Sequence, residues 1–292
     1  MSESVQENLS AAVAAAPGRR KAGITQGWLL LGLGLAMLAA MLVLTIFAPL
    51  VAPYDPSATS PDSLAPASAA HWLGTDSIGR DVLSRLIVGG RTTLLITVTA
   101  VPIALVAGLI LGLAAGYLGG FVDEIIMRVL DVVFAFPVLL LAIAVVAALG
   151  PTVPNLILTI AIVYTPAMAR VVRAPVLSVK QWDHVEAARS VGMSEMRLVL
   201  RHILPIVVSP ILVATSLTLS QTIFTVTALS FLGLGPPPPD PNWGGMLSEA
   251  RQFMELAPLT VVGPAAAIVF ATLTFIIIAN GLREVLDVGS VR

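Results

Sequence analysis

The sequence predicts an all-α, polytopic membrane protein with six transmembrane helices. Three observations carry that prediction. Hydrophobic residues make up 57% of the chain and charged residues only 11%, against roughly 25% charged in an ordinary soluble domain. The apolar residues gather into six long runs, and about 20 apolar residues suffice to cross a hydrocarbon layer ~30 Å thick. Polar turns rich in Gly, Pro, Asn and Asp divide those runs.

In chain order, residues 1–21 are polar and Ala-rich and end in Arg19, Arg20 and Lys21. The apolar run after them is too long for a secretory signal, whose core is roughly 7–15 residues. A disordered tail over residues 1–23 and a first span over Trp28–Val51 are therefore expected. Pro53 to Gly90 reads as a loop. Within it, Thr75 or Asp76 is placed to cap a helix over Gly79–Val88. Asp76 and Arg80, like Asp81 and Arg85, stand four apart with the acid first, the favourable order on a helix. This piece is expected to lie on the membrane as an amphipathic helix. The further runs are Thr93–Gly116, Val129–Leu149, Val153–Ala169, Ile206–Leu232 and Leu259–Ala279. Pro102, Pro137, Pro166, Pro210 and Pro264 fall in or at the ends of runs, where membrane helices tolerate kinks.

Six crossings place both termini on one side. With the termini inside, twelve of the sixteen Lys and Arg residues fall inside, and only Arg80, Arg85, Arg91 and Arg251 fall outside. Basic residues favour the cytoplasm, so the termini are expected there.

Several functions are disfavoured. Without Cys, neither a disulfide frame nor a Cys-ligated metal is available. His71, His184 and His202 are far apart in sequence and form no metal-spaced pair. The centres of the six runs carry no ionisable residue, and Asp131 lies near the mouth of its helix. A charge at mid-bilayer costs about 2.5–3.5 kcal/mol, so those kept there usually have a task. A proton relay is thus disfavoured, although sodium coupling through broken helices is not excluded on this ground. No Gly-rich turn ends in Gly-Lys-Ser/Thr to cradle phosphates. Gly112, Gly116, Gly119 and Gly120 read as close packing and a turn. The chain is not expected to hydrolyse anything, and no basic stripe suggests nucleic acid.

The longest polar interruption in the second half is Glu186–Pro205, EAARSVGMSEMRLVLRHILP. It reads as two short helices broken at Gly192, where Gly takes the left-handed turn that closes a helix. Ser194 stands in a cap position, and Glu195 places negative charge at the start of the next helix. Met196, Val199, Leu200 and Ile203 recur at helical spacing, and Pro205 is expected to stop or bend the piece. From spacing alone, an amphipathic loop joining two spans is equally sufficient.

The order of residues adds more. Glu186, Ala187, Ala188, then Gly192 and Met193, then Leu204 and Pro205 resemble the EAA loop of permease subunits of ABC importers. His202 and Ile203 resemble the dipeptide and oligopeptide branch. So do HWLGTDSIGRDVLSRLIVGGR (71–91), ALSFLGLGPPPPDPNWGGML (228–247) and GLREVLD (281–287). Two positions depart: Val226 stands where many relatives carry Glu, and Ala279-Asn280 replaces a usual Gly-Asp.

The resemblance implies the type I ABC importer transmembrane fold, with residues 24–90 forming the first helix and external loop, 91–283 the transmembrane domain and 284–292 a tail. It implies a bacterial inner-membrane location, half of a peptide pathway, and no cofactor in this chain, ATP and Mg being bound by partner ATPases. The implied partners are a second homologous permease, cytoplasmic ABC ATPases docking at the loop, an extracytoplasmic substrate-binding protein, a peptide substrate and membrane lipid. A sodium-coupled carrier and a channel or scaffold subunit are the alternatives.

Overall fold

The computed structural model describes residues 16–289, with side chains from residue 25 to residue 286. Among the described residues every regular element is helical. The helices are α1 (Ala16–Ile46), α2 (Ala48–Val51), α3 (Val82–Leu118), α4 (Gly120–Phe134), α5 (Val138–Leu149), α6 (Val153–Val179), α7 (Asp183–Ser190), α8 (Glu195–Leu198), α9 (Leu204–Leu229), α10 (Trp243–Ala250) and α11 (Leu259–Gly289). Five stretches are long and apolar enough to cross a membrane, and α4 with α5 makes a sixth if that pair is one span. Residues 1–15, most of the expected tail, lie outside the described residues.

The expected run Val129–Leu149 is not one straight helix. α4 and α5 are bent by 85° at a short break. Pro137 sits at the N-cap of α5 with φ −55 and ψ 129. Proline donates no hydrogen bond and pushes the residue before it out of the helical region, so the break falls there.

Small residues allow a close helix contact between α3 and α6. Gly108, Gly112 and Gly116 recur every four residues on α3 and face α6. A Cβ on Gly112 would come within 2.5 Å of the Ala169 carbonyl oxygen, and one on Gly108 within 2.5 Å of Met168 Cβ. Without side chains there, the two backbones approach closely, as in small-residue membrane packing. The packing expected of Gly112 and Gly116 is present. The turn expected at Gly119 and Gly120 is also present, with φ of +69 and +53.

At one end of the bundle, the loop 52–81 and the segment 235–258 cover α3. Here the local reading needs correction. The piece expected as a separate surface helix over Gly79–Val88 is the first part of α3, which begins at Val82. Asp81 caps it, its Oδ2 accepting from the Ser84 N–H at 2.7 Å, and its Oδ1 lies 2.9 Å from His71 Nδ1. The Asp81–Arg85 pair therefore does not form. Arg85 donates instead to Asp76 at 2.9 Å and to Glu249 at 2.8 Å. Arg80 bridges the same two acids, at 2.6 and 2.7 Å. Burial pushes the Glu249 carboxyl above the usual carboxylate range, against the pull of Arg80. Trp243 is buried here, its indole N–H donating to the Leu86 carbonyl at 2.9 Å.

Candidate functional site

The opposite end carries the hairpin formed by α7 and α8. Asp183 and Glu186 lie in the first turn of α7 and Arg189 in its last, each sign matching the helix dipole. The turn that closes α7 follows from one residue. Gly192 has φ +84, a conformation that side chains with a Cβ adopt only with strain. Its N–H donates to the Arg189 carbonyl at 3.0 Å, and the Met193 N–H donates to the Ala188 carbonyl at 3.2 Å. These two bonds are the Schellman pattern of a glycine-ended helix. Ser194 takes the N-cap position of α8 with extended backbone, but its side chain makes no capping bond.

The second half of the expected pair does not stop. α8 runs through a π-helical turn at Val199–Ile203 into α9, one helical stretch from Glu195 to Leu234. The Leu204 N–H donates five residues back, to Val199. That wide turn lies directly before Pro205, so the missing proline N–H is absorbed without ending the helix.

Apolar anchors fix the hairpin to the bundle. Val185, Leu198 and Ile203 are fully covered and cluster with Val172, Val176 and Val179 of α6 and Val207 and Ile211 of α9. Leu109, Leu113 and Tyr117 of α3 pack against this cluster. Of the residues singled out in the sequence, Ala188 faces this core, Met193 and Leu204 are half-buried, and Glu186, Ala187, Gly192 and Pro205 are exposed. A Cβ on Gly192 would meet nothing within 4 Å. Val191, Met196 and Leu200 expose 83%, 70% and 55% of their surface, and Trp182 exposes 44%. The hairpin thus presents small and apolar residues away from the bundle. A face of this kind suits a protein partner, since it is apolar yet held rigid by its own anchors.

Sequence reasoning missed the polar links beneath this face. Tyr117 donates to Glu195, Arg189 donates to the Tyr117 hydroxyl at 3.3 Å, and Lys180 donates to the Gly116 carbonyl at 2.7 Å. Their partners lie 64 or more positions away, and no periodicity signals such pairs. His184 and His202, distant in sequence, have ring centroids 6.1 Å apart. Among the described residues no group of three or more acidic or histidine side chains is placed to hold a metal. Val226 is buried in the apolar core with Leu229 and Tyr164.

A bundle of five or six apolar helices with an anchored hairpin between two of them defines a multi-span membrane protein. Comparison with known proteins states the class more closely. Residues 108–289 match the family described as binding-protein-dependent transport system inner membrane component, and the chain belongs to that family. Residues 32–66 match the N-terminal transmembrane domain of oligopeptide transport permease C. Among relatives, the dipeptide transport system permease protein DppC of Alkalihalophilus pseudofirmus is 43% identical over 255 residues, covering 87% of this chain and 84% of that protein. The glutathione transport system permease protein GsiD of Escherichia coli is 47% identical over 260 residues, covering 87% and 86%. The methionine ABC transporter MetNI, in an inward-facing conformation, shares the fold with a TM-score of 0.56 at 19% identity, covering 70% of this chain and 95% of that one. An amino acid ABC transporter shares it with a TM-score of 0.50 at 21% identity, covering 65% and 89%.

Proposed function

We propose that the chain is one of two permease subunits of an ATP-driven importer for small peptides, worked through the hairpin at residues 186–205. The carrying observation is that face: anchored from below by Val185, Leu198 and Ile203, it leaves Glu186, Ala187 and Gly192 uncovered. A cytoplasmic ATPase grips it, with Glu186, Ala187, Ala188, Gly192, Met193, Leu204 and Pro205 forming or supporting the contact. Both termini and the hairpin lie on the cytoplasmic side, as the distribution of Lys and Arg supports. An extracytoplasmic binding protein delivers the cargo at the other end. The names of DppC and GsiD favour a short peptide as cargo. The chain binds no nucleotide itself, and ATP and Mg belong to the partners.

The apolar interior supports a pathway made between two chains. Ile96, Ala100, Leu156, Ile160 and Leu229 fill the centre of the described bundle, which favours a route for a polar solute between two chains over one within a single copy. The apolar span centres and the family membership favour this reading over a sodium-coupled carrier or a channel.

Gly192→Asp and Glu186→Lys test it. Neither residue packs in the core, so membrane insertion is expected to stay near wild type; Asp at the φ +84 of Gly192 strains the turn by about 1–2 kcal/mol, a cost that Glu186→Lys does not carry. ATPase retained on purification and peptide uptake are both expected to fall at least tenfold, the equivalent of about 1.4 kcal/mol. Uptake at the wild-type rate in both variants would refute the docking role.

A further inference from the structure

The hairpin is joined by the chain to α6 and α9 alone, yet it is tied to a third span. α9 continues α8 without a break, so hairpin movement reaches α9 through the helix itself. No such route leads to α3. There the links are side chains, and they meet at the last turn of α3. The Tyr117 hydroxyl donates to Glu195 at the start of α8, and Arg189 near the end of α7 donates to the same hydroxyl at 3.3 Å. The Arg189 guanidinium lies 6.0 Å from the Tyr117 ring centroid, and its Nε lies 3.6 Å from the Glu195 carboxylate. One hydroxyl therefore ties both arms of the hairpin, while its ring packs against the apolar cluster beneath them.

The neighbouring contacts make this end of α3 a corner. Lys180 Nζ donates to the Gly116 carbonyl at 2.7 Å, placing a cation on the negative end of α3. The chain turns at Gly119, and α4 begins. On the first turn of α4, Asp123 accepts two bonds from Arg173 of α6, at 2.6 and 2.5 Å. The two-pronged pair is the stiff geometry for a guanidinium and a carboxylate. A pull on Tyr117 thus acts on the α3–α4 corner as one piece.

We propose that Tyr117, held between Glu195 and Arg189, is a positioning residue of the transport cycle: the strap by which hairpin movement reaches α3 and α4. This rests on the docking role of the hairpin. An exposed Arg189–Glu195 pair would transmit little alone, because surface ion pairs are weak and screened. The aromatic hydroxyl joins that pair to a half-buried ring packed against the apolar cluster, and so couples the surface to the span.

The test uses the whole complex in lipid vesicles: both permeases, the ATPases and the binding protein. The quantity read is peptide imported per ATP hydrolysed, in complexes matched for bound ATPase. Tyr117→Phe keeps the ring and removes the hydroxyl; Glu195→Ala removes the acceptor; Glu195→Gln keeps one. The ratio is expected to fall about fivefold or more in Tyr117→Phe and Glu195→Ala, the lower range of coupling between sites. The double variant is expected to be no worse than either single one, and Glu195→Gln to recover most of the loss. A packing role alone would lower the yield and leave the ratio unchanged. An unchanged ratio in Tyr117→Phe with ATPase still held, or losses that add in the double variant, would overturn the strap alone. A wild-type hairpin that makes no contact with the ATPase would overturn the docking reading, and the strap with it.

Discussion

Arg85 is almost wholly covered at the loop end, with a side chain 4% exposed, and it holds two carboxylates at once, Asp76 and Glu249. Removing that cation takes one hydrogen bond from each acid and leaves both to Arg80 alone, which costs about 1–3 kcal/mol. Arg85→Ala is therefore expected to lower the thermal midpoint in detergent sharply. Glu249 behaves differently with pH. Its carboxyl titrates above the ordinary range because burial penalises its charge. The folded state thus binds this proton more tightly than the unfolded chain does. The resulting stabilisation is full below the unfolded value and fades as pH rises through the folded one. Glu249→Gln cannot titrate, so the midpoint of the wild type relative to this variant should rise as pH falls through that window. Thermal unfolding of both proteins across pH 4–7 (about three units upward from the usual carboxylate values) reads the difference, and a relative midpoint that falls on acidification would contradict it.

At the scale of elements, the contact of α3 with α6 makes the sharpest contrast. A Cβ on Gly112 meets the Ala169 backbone oxygen, which cannot move aside without parting the helices. Gly112→Ala is expected to cost about 1–3 kcal/mol, the usual range for overpacking. Gly32 on α1 has nothing within 4 Å of an added Cβ, so Gly32→Ala should be neutral or gain up to ~1 kcal/mol from helix propensity. Unfolding midpoints of the two variants, compared side by side, decide it. The same elements mark what the sequence makes legible. Apolar runs betray spans because the bilayer demands a minimum length, and Gly192 betrays a turn because few other residues take its φ. The start of α3 is hidden because its charged first turns are satisfied by Glu249, far along the chain. The run through Pro205 is hidden because a π-turn before it relieves the proline. Val185 and Leu198 anchor the hairpin, but their role depends on α6 valines that no local pattern connects to them.

For the whole molecule, the question is how a binding event at one end is felt at the other. The loop end is knotted by Arg80, Arg85, Asp76 and Glu249 onto the start of α3, and the hairpin end is tied to the last turn of the same helix at Tyr117. α3 therefore runs between the two surfaces at which partners are proposed to bind. If the bundle has two arrangements, each partner shifts the balance only by its preference between them. The effects must then be mutual: whatever factor the ATP-bound ATPase applies to the affinity for the binding protein, the binding protein applies to the affinity for ATP. With a non-hydrolysable ATP analogue in the complete complex, the two factors are expected to agree, and typical coupling would make each about 5–150-fold. Gly192→Asp should bring both toward one together, because it acts on the hairpin proposed to carry the linkage. Both factors left at their wild-type size in the Gly192→Asp complex would show that the two ends are not linked through this hairpin.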